Sequence, residues 1–218
     1  MSEHHDDFDF EPVRGLPQML PQGERMLWQG APRWQDLAIH AFHARKVICY
    51  FAAIAGAQGA FRLAEGKAVI DSLAPAQWLL PMGFIAAALL TGLAYLSART
   101  TVYTITSKRL VMRIGMALPV TINLPFSQID GASLRLIGNG SGDIPLRVTP
   151  KERLAYLLLW PHARPLHFTR PEPCLRCIPN ADKVASLLSS ALAGTAAAPL
   201  GEMSSSSAEF DASQQVAA

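Results

Sequence analysis

The stretch "TTVYTITSKRLVMRIG", Thr100–Gly115, decides the fold, because the chain changes physical character within it. Just upstream, Ser72–Ala98 carries no charge and is dense in Leu, Ile, Phe, Ala and Met from Trp78 to Leu96. A hydrocarbon layer about 30 Å thick is crossed by about 20 helical residues, so this run predicts a membrane span. Beyond Thr100 the apolar side chains alternate instead. Leu110, Met112 and Ile114 alternate with Arg109, Val111 and Arg113, and Val120, Ile122 and Leu124 with Thr121 and Asn123. A period of two sends successive side chains to opposite faces of a strand, which predicts a sheet with one face buried. Ser107-Lys108 suits a tight turn, and Gly115 suits a second break.

Downstream the same pattern continues in short pieces. "PFSQIDGASLRL" reads as a strand kinked at Gly131, "IGNGSGD" as a glycine-rich loop, and Pro145–Thr149, Ala155–Trp160 and Leu166–Thr169 as further strands. About seven short strands in a meander suit a small sheet that curls or closes to protect its edges. Val184, Leu187, Leu188 and Ala191 then fall on one helical face, with Asn180 placed as an N-cap, so one helix is expected to cover an open end of the sheet. After Gly194 the chain turns to Ala, Ser and a few acids, which cannot bury enough surface to order themselves.

Upstream, Val47–Phe61 is also uncharged, with Arg45 and Lys46 before it and Arg62 after it. It is short for a span, but long basic side chains can snorkel to the interface and extend it. Gly56, Gly59, Gly83, Ala87 and Gly92 are small residues of the kind that let helices approach closely in lipid, predicting a tight hairpin. Before it, Trp34, Leu37, Ala38, Ala41 and Phe42 recur at helical spacing opposite Gln35, Asp36, His40 and His43, as in an amphipathic helix along a membrane interface. Trp28, Trp34 and Trp78 are expected as interfacial anchors, and Trp160 as part of the sheet domain.

The expected organisation is therefore α+β: an N-terminal arm (1–30), an interfacial helix with two transmembrane helices (31–98, spans about 46–63 and 76–97), a sheet domain (99–193) and a disordered tail (194–218).

Charge agrees with a membrane setting. Only 17% of the 218 residues are charged and 50% are hydrophobic. The net +2 conceals segregation: all 19 Lys and Arg lie within 14–183 beside nine acids, and the two ends hold the other eight acids. A basic body beside apolar runs favours an anionic lipid surface over nucleic acid, for which no binding motif is present. Five basic residues in 14–46 and four in 99–113, against two in 62–71, place both termini on the cytoplasmic side of an inner membrane. Three cysteines cannot form a fully paired disulfide framework, and the acidic N-terminus lacks the order of a cleaved signal peptide.

These phrases carry a family resemblance. A strand meander closed by one helix is the pleckstrin-homology-like plan, and "TVYTITSKRLVMRIG" with "LPFSQIDGASL" resembles the repeated phrase of bacterial PH-like domains. "EPVRGLPQMLPQGERMLWQGAPRWQDLA", two spans and "RIGMALPVTINLPFSQID" together resemble the photosynthetic complex assembly protein (PuhB) family of purple phototrophic bacteria, over about residues 8–192. The resemblance implies a PH-like antiparallel β-barrel or roll, and a membrane-bound, non-enzymatic factor that assembles the photosynthetic reaction centre and core light-harvesting complex. Reaction-centre subunits, other assembly factors and membrane lipids would then be its partners, with a homo-oligomer left open. The alternative is a generic bacterial PH-like membrane protein concerned with lipid binding or envelope stress.

Candidate sites are few. His40 and His43, three apart on one helix surface, could ligate the magnesium of bacteriochlorophyll, the one cofactor in view; the plainer reading is a pair of solvated interfacial histidines. Lys108, Arg109 and Arg113 could meet lipid phosphates or a partner, or form a solvated strand face. Cys174-x-x-Cys177 with His162 and His167 raises a zinc site, but the intervening "ARPLHFTRPEP" is broken by proline and strand-like, so no metal is expected. "GNGSGD" lacks the Lys-Ser/Thr and helix start of a P-loop, and no catalytic set emerges.

Overall fold

A computed structural model describes residues 15–16, 18–116, 119–149, 159–164 and 171–196. Its elements run as strand β1 (Met26–Gly30), helices α1 (Trp34–His40), α2 (Ala44–Ala64), α3 (Val69–Ser72) and α4 (Ala74–Thr100), strands β2 (Val102–Thr106), β3 (Arg109–Ile114), β4 (Val120–Pro125), β5 (Ile129–Ala132), β6 (Arg135–Leu136), β7 (Ser141–Val148) and β8 (Cys174–Pro179), and helix α5 (Ala181–Ala196).

Helices α2 and α4, of 21 and 27 residues, are about 31 Å and 40 Å long at 1.5 Å per residue. Both are long and apolar enough to cross a membrane. They pack as a hairpin whose outer faces carry exposed Tyr50, Phe61, Trp78, Phe84, Ile85 and Leu89. Not every small residue serves the seam. A Cβ on Gly83 would lie 2.6 Å from Phe51 Cβ, and one on Gly59 would lie 3.0 Å from the Ser72 carbonyl, whereas Gly56 and Gly92 face open space. Ala87 is buried.

The soluble-type part consists of two four-stranded antiparallel sheets sharing one core. In the first, ordered β1-β2-β3-β4, the registers Tyr103↔Met112, Ile105↔Leu110, Leu110↔Leu124 and Met112↔Ile122 stack the inward residues that alternation predicted. In the second, β7 pairs with β5, β6 and β8. An irregularity between Ile129 and Gly131 supplies the expected kink. The glycine-rich loop closes the β6–β7 hairpin. Gly138, Asn139 and Gly140 all take positive φ there, a conformation that glycine and asparagine adopt most readily. The two sheets remain separate, so the barrel alternative does not hold; a pair of open sheets filled by common side chains is what the strands form.

Helix α5 buries Ala181, Val184 and Leu188 against the core, as its periodicity predicts. Asn180 stands just before it at φ 51°, and its carbonyl accepts the Lys183 and Val184 N–H groups. Of the expected strand Ala155–Trp160, Leu159 and Trp160 are not in a strand. Its other residues, the candidate strand Leu166–Thr169, the first 14 residues and the tail from 197 lie outside the described residues.

Two placements differ from expectation. Trp28 lies in β1, within the stretch read as an arm, and packs against the sheet core rather than anchoring to a membrane. Helix α1 turns its apolar face to protein: Leu37, Ala38 and Phe42 bury with Ala94 and Ala98 of α4 and Cys177 of β8. Amphipathic spacing reports that one face is buried, and it is equally satisfied by lipid or by a neighbouring helix.

Candidate functional site

Helix α4 passes into β2 through one residue, Thr101, and the polar groups of the molecule gather around that joint. Thr101 is fully buried; its hydroxyl donates to the Ser97 carbonyl at 2.7 Å, prolonging the helix hydrogen bonding by one link. His162, also without exposed surface, inserts beside it. Its Nδ1 is 2.6 Å from the Tyr103 hydroxyl, and its Nε2 lies 3.0 Å from Thr101 Oγ1 and 3.4 Å from Ser97 Oγ.

The bonding fixes the tautomer. Thr101 has given its proton to Ser97, so Nε2–H donates to Thr101, leaving Nδ1 to accept from Tyr103. The Tyr103 oxygen in turn accepts the backbone N–H of Arg176 at 3.3 Å. One chain of donors thus links α4, β2, the turn at His162 and β8.

Burial dictates the protonation states. Desolvation, then the Arg176 charge, pushes the His162 imidazole down to about 3, so the ring is neutral at ordinary pH. Desolvation raises the Tyr103 phenol well above its usual value. The Cys174 thiol is raised far above its usual value, and Cys177 up to about 12, by burial first and the Asp143 charge second. Thiols held protonated in this way make poor nucleophiles and poor metal ligands. Among the described residues no three His, Cys, Asp or Glu side chains converge on a metal-sized site. His167 lies outside the described residues.

Arg176 is the buried cation of the site. Its Nε is 3.4 Å from Asp143 Oδ1, within ion-pair range but without the alignment of a hydrogen bond, so that Nε–H has no hydrogen-bond partner. Nη1 reaches the carbonyls of Pro161 and Ala163, and Nη2 that of His40, each at the long distance of 3.4 Å. Asp143 also accepts the Cys177 N–H at 2.9 Å, which helps hold Cys177 at its left-handed φ of 51°. A second set of bonds ties α1 to this region. Arg33 N–H donates to the Cys177 carbonyl, and the Ser141 hydroxyl donates to Asp36 at 2.6 Å while accepting from Arg33 Nη1.

The structure brings together only one of the two sequence-predicted groups. His40 and His43 come together with Arg45, Lys46, Arg135 and Arg176 around one pocket beside the joint. His43 forms the corner between α1 and α2 at φ 56°, its Nδ1 donating to the Ile39 carbonyl at 3.4 Å. Lys108, Arg109 and Arg113 do not form one surface: Lys108 is exposed in the β2–β3 turn, Arg109 pairs with Glu24 at 2.8 Å, and Arg113 is buried. Leu16 is buried and a Cβ on Gly15 would lie 2.6 Å from Val102, so the N-terminal segment packs on this sheet. Sequence reading missed Tyr103, Thr101, Asp143 and Arg176. A lone Arg in the apolar run "CLRCI" was the available signal.

A two-helix apolar hairpin running without a linker into a two-sheet domain closed by a helix defines a hairpin-borne PH-like protein. The chain belongs to the bacterial PH domain family, whose pattern matches residues 52–192, from within α2 to within α5. It is 44% identical over 192 residues to a protein of Rhodobacter capsulatus described as an uncharacterized 23.7 kDa protein in the puhA 5′ region, covering 88% of this chain and 89% of that one. No solved structure matches it.

Proposed function

We propose that this chain is a membrane-bound, non-enzymatic assembly factor for the photosynthetic reaction centre and its core light-harvesting complex, of the PuhB type. The observation that carries the reading is the extensive relative, 44% identical and located beside puhA, a photosynthesis gene. On this reading α2 and α4 span the inner membrane, and the bias of basic residues to the ends of the hairpin keeps both termini and the sheets in the cytoplasm. The sheets then stand beside newly inserted subunits, and tethering raises the local concentration of weak contacts.

No pigment role is assigned to His40 or His43. Their pocket sets Arg45, Lys46, Arg135 and Arg176 beside an apolar wall that includes Leu136 and Trp160, and that cluster of cations calls for a negatively charged ligand.

The test is a deletion strain grown under phototrophic conditions. Loss of reaction-centre absorption, restored by the wild-type gene, is expected, together with co-purification of reaction-centre polypeptides above the level seen with an unrelated membrane protein. Normal absorption in the deletion strain would overturn the proposal and favour a general envelope or lipid-binding role.

A further inference from the structure

The pocket at the foot of the hairpin, about 700 Å³ in volume, joins a cationic wall to an apolar one. Arg45, Lys46, Arg135 and Arg176 face a single carboxylate, Asp143, which already lies against Arg176. Among the described residues no carboxylate pairs with Arg45, Lys46 or Arg135. A concave site lined by one sign of charge focuses its field and concentrates the opposite charge. Arg176, whose side chain is only 7% exposed, adds a fixed positive charge to the wall, and its one carboxylate neighbour, Asp143, lies 3.4 Å from Nε without the alignment of a hydrogen bond.

The location narrows the anion. The pocket sits where α2 begins at Ala44, the same end of the hairpin at which α4 meets the sheets. With the hairpin across a bilayer, this end is at headgroup depth. The remaining walls include exposed Leu136 and half-exposed Trp160, whose ring meets Phe42 edge-on at 5.1 Å. Apolar surface adjoining a cluster of cations matches an amphiphile better than a free anion.

We propose that this pocket binds the phosphate headgroup of an anionic glycerophospholipid, with Arg45, Lys46 and Arg135 as the phosphate-binding residues and Leu136 and Trp160 against the glycerol and first acyl carbons. The site is independent of any role in photosynthesis and would fix the height of the sheets above the bilayer.

The experiment uses the full-length chain in a nonionic detergent, titrated calorimetrically with dioctanoyl phosphatidylglycerol, dioctanoyl phosphatidylcholine and inorganic phosphate. Phosphatidylglycerol is expected to bind at least about tenfold more tightly than the other two. Removing Arg45 and Arg135 as R45Q/R135Q should weaken it about 25-fold, from about fivefold per cation near a headgroup. Lys183→Gln, on the exposed side of α5, should leave it unchanged. Arg135→Gln alone lies in an exposed two-residue strand and keeps the test intact should the double variant misfold; it should lose about fivefold. Equal binding of the two lipids, or unchanged affinity in the folded variants, overturns the site. Phosphate binding as tightly as phosphatidylglycerol overturns the lipid assignment in favour of a soluble phosphate ligand.

Discussion

His162 makes the stability of the sheet domain depend on pH in a way that one substitution removes. In the folded chain its imidazole resists protonation until about pH 3, whereas the unfolded chain takes the proton near 6.5. Between those values the unfolded state binds more protons, so stability is highest above the upper value and falls as the solution is acidified. At pH 5.0 the unfolded imidazole lies about 1.5 pH units below its midpoint, which at 1.36 kcal/mol per unit is a loss of about 2 kcal/mol. His162→Gln keeps a polar side chain at the joint but has no proton to take up. It should cost about 1–3 kcal/mol at pH 7.5, because the bonds to Tyr103 and Thr101 are imperfectly replaced. On moving to pH 5.0 the gap between variant and wild type should narrow by about 2 kcal/mol. Urea unfolding in detergent, followed by tryptophan fluorescence at both pH values, measures this, and carboxylates common to both proteins cancel in the difference. Parallel losses in the two proteins would refute the buried neutral imidazole.

Gly83→Val should loosen the hairpin by about 1–3 kcal/mol in thermal unfolding, because its Cβ would meet Phe51 Cβ at 2.6 Å; Gly92→Ala, facing open space, should be neutral, and equal effects would contradict the seam. Leu37→Ala should cost about 2–5 kcal/mol, as for a fully buried core leucine, while the exposed Ile85→Ala changes detergent stability little; a harmless Leu37→Ala would return α1 to the lipid surface. Asp143→Ala strands the Arg176 guanidinium and the Cys177 N–H, and should lower stability by about 3–5 kcal/mol in urea unfolding; a neutral result would show that the pair is not buried in solution. Native protein should leave Cys174 and Cys177 unlabelled by N-ethylmaleimide, and denatured protein should be labelled at both; mass spectrometry finding either one labelled in the native protein would contradict their burial.

Local periodicity carried the parts of the fold that local pattern can carry. Leu110, Met112 and Ile114, with Ile122 and Leu124, announce their strands because the core-facing side chains recur at every second residue, although β3 is buried on its other face as well, and Val184 and Leu188 announce α5 by their helical spacing. β1 gives no such signal: "MLWQG" is five residues long with no alternation, and it is a strand because β2 offers it a partner. The joint was illegible for a different reason. His162 lies 61 residues from Thr101 and 59 from Tyr103, between the expected strands Ala155–Trp160 and Leu166–Thr169, so only the fold brings the three together. Cationic strand residues misled in the opposite way. Arg109 and Arg113 read as a solvated face, but Glu24 pairs with the first and the second is buried, and no period in β3 records either.

The absence of a linker between α4 and β2 changes what a membrane anchor can do here. A domain on a flexible tether gains only local concentration, set by the reach of the tether. In this chain one buried residue separates helix from strand, His162 bonds to both sides of that junction, and α1 packs simultaneously on α4 and β8. Hinging the sheets away from the hairpin would break those bonds and expose Leu37, Ala94 and Cys177 together. With the hairpin held in a bilayer, tilt and height of the sheets follow from the tilt of α4. On the proposed function, the domain would offer a partner one fixed face at one fixed depth, and a subunit inserting beside the hairpin would meet it already oriented. Recognition would then rest on geometry imposed by the membrane as well as on contact chemistry, which would let a surface without a strongly reactive group discriminate among neighbours.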